Sequence, residues 1–226
     1  MIPRSAALPS FSKALLKWWN LHGRSFPWRK THDPFRIYLA EILLHRTRAE
    51  KVAEIYSILV TRFPTVEDLA LSTEPELQNI LAPLGLRWRT SLLLKSSRII
   101  VEKYRGEFPL ERDSLLELPG VGDYITSALR TFAFGQNDPI IDTNTVRIIS
   151  RIRNSKQSDS TRRGSLVRKI YSELRNESEP RDFAFAMLDL ANKVCLAKNP
   201  LCEQCPVAYY CKTGKLFMYK AIISPL

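Results

Sequence analysis

Apolar side chains recur every three to four positions along nearly the whole chain, the spacing that gathers one face of an α-helix. Phe11, Leu15, Trp18 and Leu21 or His22 mark a first helix with that face in a core, and Gly23 suits its stop. Phe26-Pro27-Trp28-Arg29 reads as an aromatic loop, and Asp33-Pro34 as the cap and first turn of a helix over 35–46 that carries Glu41. A helix over 50–63 gathers Val52, Tyr56, Leu59 and Phe63 on one side. Thr65-Val66-Glu67-Asp68 and Thr73-Glu74-Pro75-Glu76 both have the form of a capping box. Gly85-Leu86-Arg87-Trp88-Arg89 then interrupts the helices with cations around an aromatic ring, before a long amphipathic helix to Tyr104 closed by Gly106. Asp113 is expected to cap the next helix. Residues 136–141 read as extended, 143–153 as helical and 154–160 as a polar surface loop. Helices over 163–176 and 181–194 lead to a cysteine-rich end. With no period-2 strand, internal repeat or low-complexity linker, the expected class is all-α.

The totals narrow the partners. At 226 residues the chain can bury one substantial core or divide into two small lobes. A formal charge of +11 favours a polyanion, with nucleic acid the first candidate and an acidic membrane surface the second. No apolar run approaches the roughly 20 residues of a spanning helix, and residues 1–14 lack a signal-peptide core. The expectation is an intracellular protein without membrane association, in the cytoplasm or nucleoid, or in the nucleus of a eukaryote.

Chemistry concentrates in two places. In Leu118-Pro119-Gly120-Val121-Gly122-Asp123-Tyr124 two glycines permit a tight turn, and an apolar helical run from Ile125 to Phe134 follows. Free N–H groups at such a turn and helix start suit a phosphate, whereas a plain helix–helix connection would carry no ligand. A carboxylate facing that phosphate would repel it, so Asp123 is expected to point aside as a helix cap. Asp142 follows within Ile141-Asp142-Thr143-Asn144, at an expected helix start.

The second place is C-x6-C-x2-C-x5-C, formed by Cys195, Cys202, Cys205 and Cys211, the chain's only cysteines. Four thiols within 17 residues favour one inorganic centre over two disulfides. Thiolates suit zinc and iron–sulfur clusters alike, and their chemistry alone leaves both open. An electron carrier is the competing reading of such a centre.

The Gly/Pro-rich turn, the Asp beyond it and the closing cysteines, in this order, resemble the endonuclease III, or helix-hairpin-helix, superfamily of DNA glycosylases. The resemblance runs from Trp18 to Cys211. It implies two α-helical lobes: a six-helix barrel lobe over 34–135 with the hairpin, and a discontinuous lobe joining 1–33 to 136–226 with a [4Fe–4S] cluster on the four cysteines. A DNA cleft would lie between them. The cluster would pin the loop holding Lys198 and basic segments such as Arg163 to Lys169. The hairpin amides of Gly120, Val121 and Gly122 would hold a phosphate together with a monovalent cation, Na or K. Asp142 matches the essential Asp, with Asn144 beside it as a DNA contact. Tyr124 stands where members that also nick the backbone carry Lys, which implies a monofunctional enzyme that leaves an abasic site.

Two branches of the superfamily pair Tyr with Asp: G:T mismatch thymine glycosylases and adenine glycosylases acting opposite 8-oxoguanine. Both carry a Glu where Glu41 stands, placed to protonate or hydrogen-bond the leaving base. A basic residue before Arg-Thr in Glu41-Ile42-Leu43-Leu44-His45-Arg46-Thr47 is closer to the thymine branch. The short stretch after Cys211 points the same way, since adenine glycosylases usually add a further domain. Phe183-Ala184-Phe185-Ala186-Met187-Leu188-Asp189-Leu190 suits either branch. By the same resemblance His45 and Arg46 fall at the wedge that fills the space of a flipped base, and Arg87-Trp88-Arg89 at a second DNA-facing loop. The expected partner is double-stranded DNA with a mismatched or damaged base, bound by a monomer. A non-catalytic hairpin protein that binds DNA remains the alternative to an enzyme.

Overall fold

The computed structural model describes residues 10–85, 87–155 and 164–216. Residues 1–9, Leu86, residues 156–160 of the expected polar loop, residues 161–163 at the expected start of a helix, and the tail 217–226 lie outside the described residues. Those described form helices, 3-10 turns and connections, with no strand among them. In chain order the helices are α1 (Phe11–His22), α2 (Pro34–Leu44), α3 (Ala49–Arg62), α4 (Val66–Leu71), α5 (Glu74–Leu81), α6 (Trp88–Tyr104), α7 (Arg112–Leu116), α8 (Asp123–Phe132), α9 (Thr143–Arg153), α10 (Ser165–Arg175) and α11 (Pro180–Lys193). They fall into two compact units, one of residues 25–138 and the other of residues 1–24 with 139–226.

The unit of residues 25–138 is built around α2. Phe35, Ile37, Tyr38, Leu39, Ala40, Ile42 and Leu43 are all buried, as expected of a helix apolar on every side. Asp33 starts it by accepting the amides of Phe35 and Arg36, and α3, α6 and α8 pack around it. The unit begins before Phe26, earlier than the Pro34 expected from the resemblance, because Phe26 stacks on Trp28 and Trp28 meets Tyr56 of α3 edge-on. Residues 27–30 form a 3-10 turn rather than an open loop. Thr65 and Asp68 close a reciprocal capping box. At α5 only half of the expected box is present: Thr73 accepts the Glu76 amide, while the Glu76 carboxylate pairs with Arg62. Asp113 is not a cap but lies in the first turn of α7, whose cap position is Glu111.

The second unit packs α1 against α11 and α10, and α9 against α10 and α11. Phe11, Leu15, Tyr171 and Phe183 are buried in its core, with the Tyr171 and Phe183 rings edge-to-face at 5.2 Å. The expected face of α1 is corrected here: Leu21 is 77% exposed, and Trp18 turns its ring to His22. The end of α1 is instead fixed by a carboxylate. Asp189 of α11, fully buried, accepts Trp19 Nε1 at 3.0 Å, the Arg24 amide at 2.9 Å and Arg24 Nε at 2.7 Å. Satisfying a buried charge with three donors is what makes its burial tolerable. Among the described residues no helix is long and apolar enough to cross a membrane.

Candidate active site and cluster loop

In the hairpin, α7 ends and the chain reverses through Leu118 to Gly122. The Val121 amide closes the turn on the Leu118 carbonyl at 3.0 Å, and Gly120 takes φ +79°, which a side chain resists. Ser96 of α6 donates its hydroxyl to the Pro119 carbonyl, holding the turn on the unit beneath it. Gly122 is the N-cap of α8 and no side chain caps the helix there, so its start has the backbone arrangement that suits an anion. Val121 departs from the expectation, since its amide is used within the turn and its side chain is buried. Asp123 also departs from it. It is the first residue of α8 rather than its cap, and it pairs with Arg112, which bridges it to Asp138. The carboxylate is thus neutralised instead of opposing a phosphate. A Cβ at Gly120 would lie 2.5 Å from Leu92 Cδ1. Gly120→Ala is therefore expected to lower stability by about 1–2 kcal/mol through the left-handed backbone alone, read from denaturant unfolding.

Tyr124 sits half-buried in the first turn of α8, and Glu41 is buried at 5% exposure among apolar neighbours on α2. Glu41 is therefore not a solvated surface carboxylate. At the end of α2, His45 is the C-cap and Arg46 adopts φ +60°. Both are exposed. Desolvation, with Arg46 and then Arg89 adding to it, holds the His45 imidazole below its ordinary pKa, so the ring is neutral at pH 7. Trp88 meets the His45 ring edge-on at 5.5 Å and Arg87 is exposed beside it. Arg89 is a correction: it was expected on a DNA-facing loop, but Trp88 already begins α6 and Arg89 points inward with no exposed surface.

In the other unit Asp142 caps α9. One carboxylate oxygen accepts the Thr145 amide at 2.7 Å and the other accepts Asn144 Nδ2 at 2.7 Å, with the acid half-buried. Asn144 is held in turn by Arg147 Nη1 at 2.9 Å. The same guanidinium donates to the Cys195 carbonyl from Nε at 2.9 Å and to the Ala191 carbonyl from Nη2 at 3.1 Å. A continuous set of hydrogen bonds therefore links the acid to the first cysteine of the loop. Arg147 did not stand out in the sequence. Its only trace there is a cation on the face of α9 that also carries Asn144, three positions apart.

The four cysteines close this unit. Cys195 follows the end of α11, and 3-10 turns at Cys202–Gln204 and Ala208–Tyr210 bring Cys202, Cys205 and Cys211 back. Arg151 Nη1 lies 3.2 Å from Cys195 Sγ, and the Gly214 amide 3.3 Å from Cys211 Sγ. Arg151 also donates to the Leu196 and Ala197 carbonyls. Burial raises the Cys205 thiol to about 12, and the neighbouring sulfurs push the same way. Cys202 and Cys211 are raised for the same reasons. Thiols at Cys202, Cys205 and Cys211 that resist ionisation alone, with N–H donors at the Cys195 and Cys211 sulfurs, are suited to sharing a positive inorganic centre.

These features have counterparts in known proteins. The family described as HhH-GPD superfamily base excision DNA repair protein matches residues 39–172, spanning the hairpin and Asp142. The chain belongs to the HhH-GPD superfamily. The iron-sulfur binding domain of endonuclease III matches residues 195–211, from the first cysteine to the last. That segment holds all four cysteines, and the protein carries a [4Fe–4S] cluster. Among HhH-GPD relatives, a thymine/uracil-DNA glycosylase of Pyrobaculum aerophilum is 37% identical over 216 residues, covering 92% of this chain and 93% of that protein. Human adenine DNA glycosylase is 30% identical over 92% of this chain, which spans only 40% of that protein. A solved thermostable thymine-DNA glycosylase superposes with a TM-score of 0.83 at 30% identity, over 91% of this chain and 95% of that one. A trapped endonuclease III–DNA covalent intermediate superposes with a TM-score of 0.77 at 25% identity, over 91% and 94%.

Proposed function

We propose that this base excision repair DNA glycosylase hydrolyses the N-glycosidic bond of thymine or uracil mispaired with guanine and leaves an abasic site without cutting the strand. The single observation that carries the reading is the fixed carboxylate of Asp142, held at both oxygens by Thr145 and Asn144. Breaking the C1′–N bond leaves positive charge on the sugar, and an immobile carboxylate stabilises it without reorganising. The bond electrons leave with the base, which takes a proton from Glu41 or from solvent. Water then forms the new C1′–O bond and gives up its proton. The amides of Gly120 and Gly122 hold a backbone phosphate, with a monovalent cation completing that site. A G:T or G:U mispair opens at a lower cost than a Watson–Crick pair, which favours these substrates. Similarity to a thymine/uracil-DNA glycosylase over nearly the whole of both chains, at 37% identity, supports the choice of base. The chain is read as a monomer, with Arg87 and Trp88 contacting DNA.

Tyr124 supports the monofunctional assignment, because a phenol forms no imine with C1′. Tyr124→Lys is expected to create a borohydride-trappable protein–DNA adduct that the parent lacks, seen as a shifted band in a denaturing gel. Duplexes carrying G:T, G:U and adenine opposite 8-oxoguanine, each treated with alkali after incubation, test the substrate. Strand scission at the first two supports the proposal. Scission only at adenine would move the chain to the branch of its human relative, and no scission at any of them would refute the enzymatic reading.

A further inference from the structure

Among the described residues, Arg89 is the largest side chain with essentially no exposed surface. Its Nη2 donates to the His45 carbonyl and, at 2.7 Å, to Thr47 Oγ1. Its Nε and Nη1 find no hydrogen-bond partner among the described residues. Burying a guanidinium with incomplete partners is costly, and an apolar side chain of similar volume would serve the core better. The two acceptors it does engage flank one residue, Arg46, whose φ of +60° is unfavourable for an L-residue. Strain of this kind persists only where the surroundings enforce it, and it concentrates at functional positions. The cation also sits at the C-terminal end of α2, where the helix dipole favours positive charge. From the N-terminal end of α6 it ties the α2 turn to Trp88, its neighbour in sequence, whose ring centroid is 5.7 Å from the guanidinium carbon. Trp88 is 43% exposed and meets the His45 ring.

We propose that Arg89 is a positioning residue that locks His45, Arg46 and Trp88 into one preformed DNA-facing element, which parts the mispair rather than taking part in bond cleavage. The proposal rests on the glycosylase reading above and on the wedge position that the sequence resemblance gives His45 and Arg46. The Arg46 backbone conformation and the Trp88 ring are set before DNA arrives, so opening the pair does not also have to order the turn.

The test uses full-length Arg89→Met, Arg89→Lys and Thr47→Val with two duplexes: uracil opposite guanine, and uracil opposite a tetrahydrofuran abasic analogue, where no partner base has to be parted. A 2-aminopurine next to the uracil reports unstacking, and single-turnover release reports chemistry. Losing a charge-assisted hydrogen bond predicts that Arg89→Met lowers release from G:U about tenfold or more and reduces the fluorescence rise in parallel. Release opposite the abasic analogue should change less than threefold. Thr47→Val should show the same pattern at smaller amplitude, and it carries the test alone if Arg89→Met does not fold. Arg89→Lys should recover part of the loss. Equal losses on both duplexes, or normal unstacking in both Arg89→Met and Thr47→Val, would overturn the proposal. If the parent protein releases uracil from neither duplex, the glycosylase reading fails, while the fluorescence still decides whether Arg89 controls opening of the pair.

Discussion

Asp142→Asn is expected to reduce single-turnover base release by about 1000-fold, the scale of losing one preorganised electrostatic group. Fold and DNA affinity should survive. Asn is as good an N-cap as Asp, and its carbonyl oxygen can still accept the Thr145 amide at the start of α9. What disappears is the negative charge that faces the developing sugar cation. Removing that charge from a protein that binds a polyanion should leave affinity equal or slightly raised. The measurement pairs release kinetics with thermal melting and with binding to a duplex carrying a non-cleavable nucleotide. A variant that still releases base at the parental rate would remove Asp142 from the chemistry.

The second large effect is expected at Arg147. This one side chain donates to Asn144, Ala191 and Cys195, and so fixes both the partner of the acid and the first residue of the cluster loop. Arg147→Leu should lower release by about 10–100-fold, because hydrogen bonds from a charged donor contribute roughly 1.5–3 kcal/mol each. Arg147→Lys should restore little, since an ammonium cannot reproduce a fork aimed at three separate acceptors. The visible absorbance of the cluster distinguishes the two consequences of the change. Lost release with full cluster content places the effect on Asp142 through Asn144. Unchanged release would show that Asn144 needs no support.

The sequence made the helical class, the hairpin and the capped carboxylate legible because each depends on local rules. Gly120 marks a left-handed turn, Asp142 opens a helix with a free amide three residues on, and the cysteine spacing lies within one short segment. Contacts between segments distant in the chain stayed hidden. Arg89 was grouped with exposed cations because charged residues are so seldom fully buried; only the folded chain turns it inward against residues 42 and 44 positions earlier. Asp189 sits in an apolar run whose pattern gives no sign that Trp19 and Arg24 will meet it. Asp123 shows the same limit: it lies in the first turn of α8 rather than at its cap, and its partner Arg112 stands 11 positions earlier. Arg147 reaches across 44 and 48 positions to its backbone acceptors, beyond any local pattern.

The central claim is that Asp142 supports hydrolytic release of a mispaired pyrimidine, with no covalent link to the protein. Its most direct test is mass spectrometry of a G:T duplex after one turnover, run in parallel with borohydride trapping. The account predicts free thymine in stoichiometric yield, an intact abasic strand and no trapped adduct. No released base, or a trapped adduct on the parent protein, would contradict it.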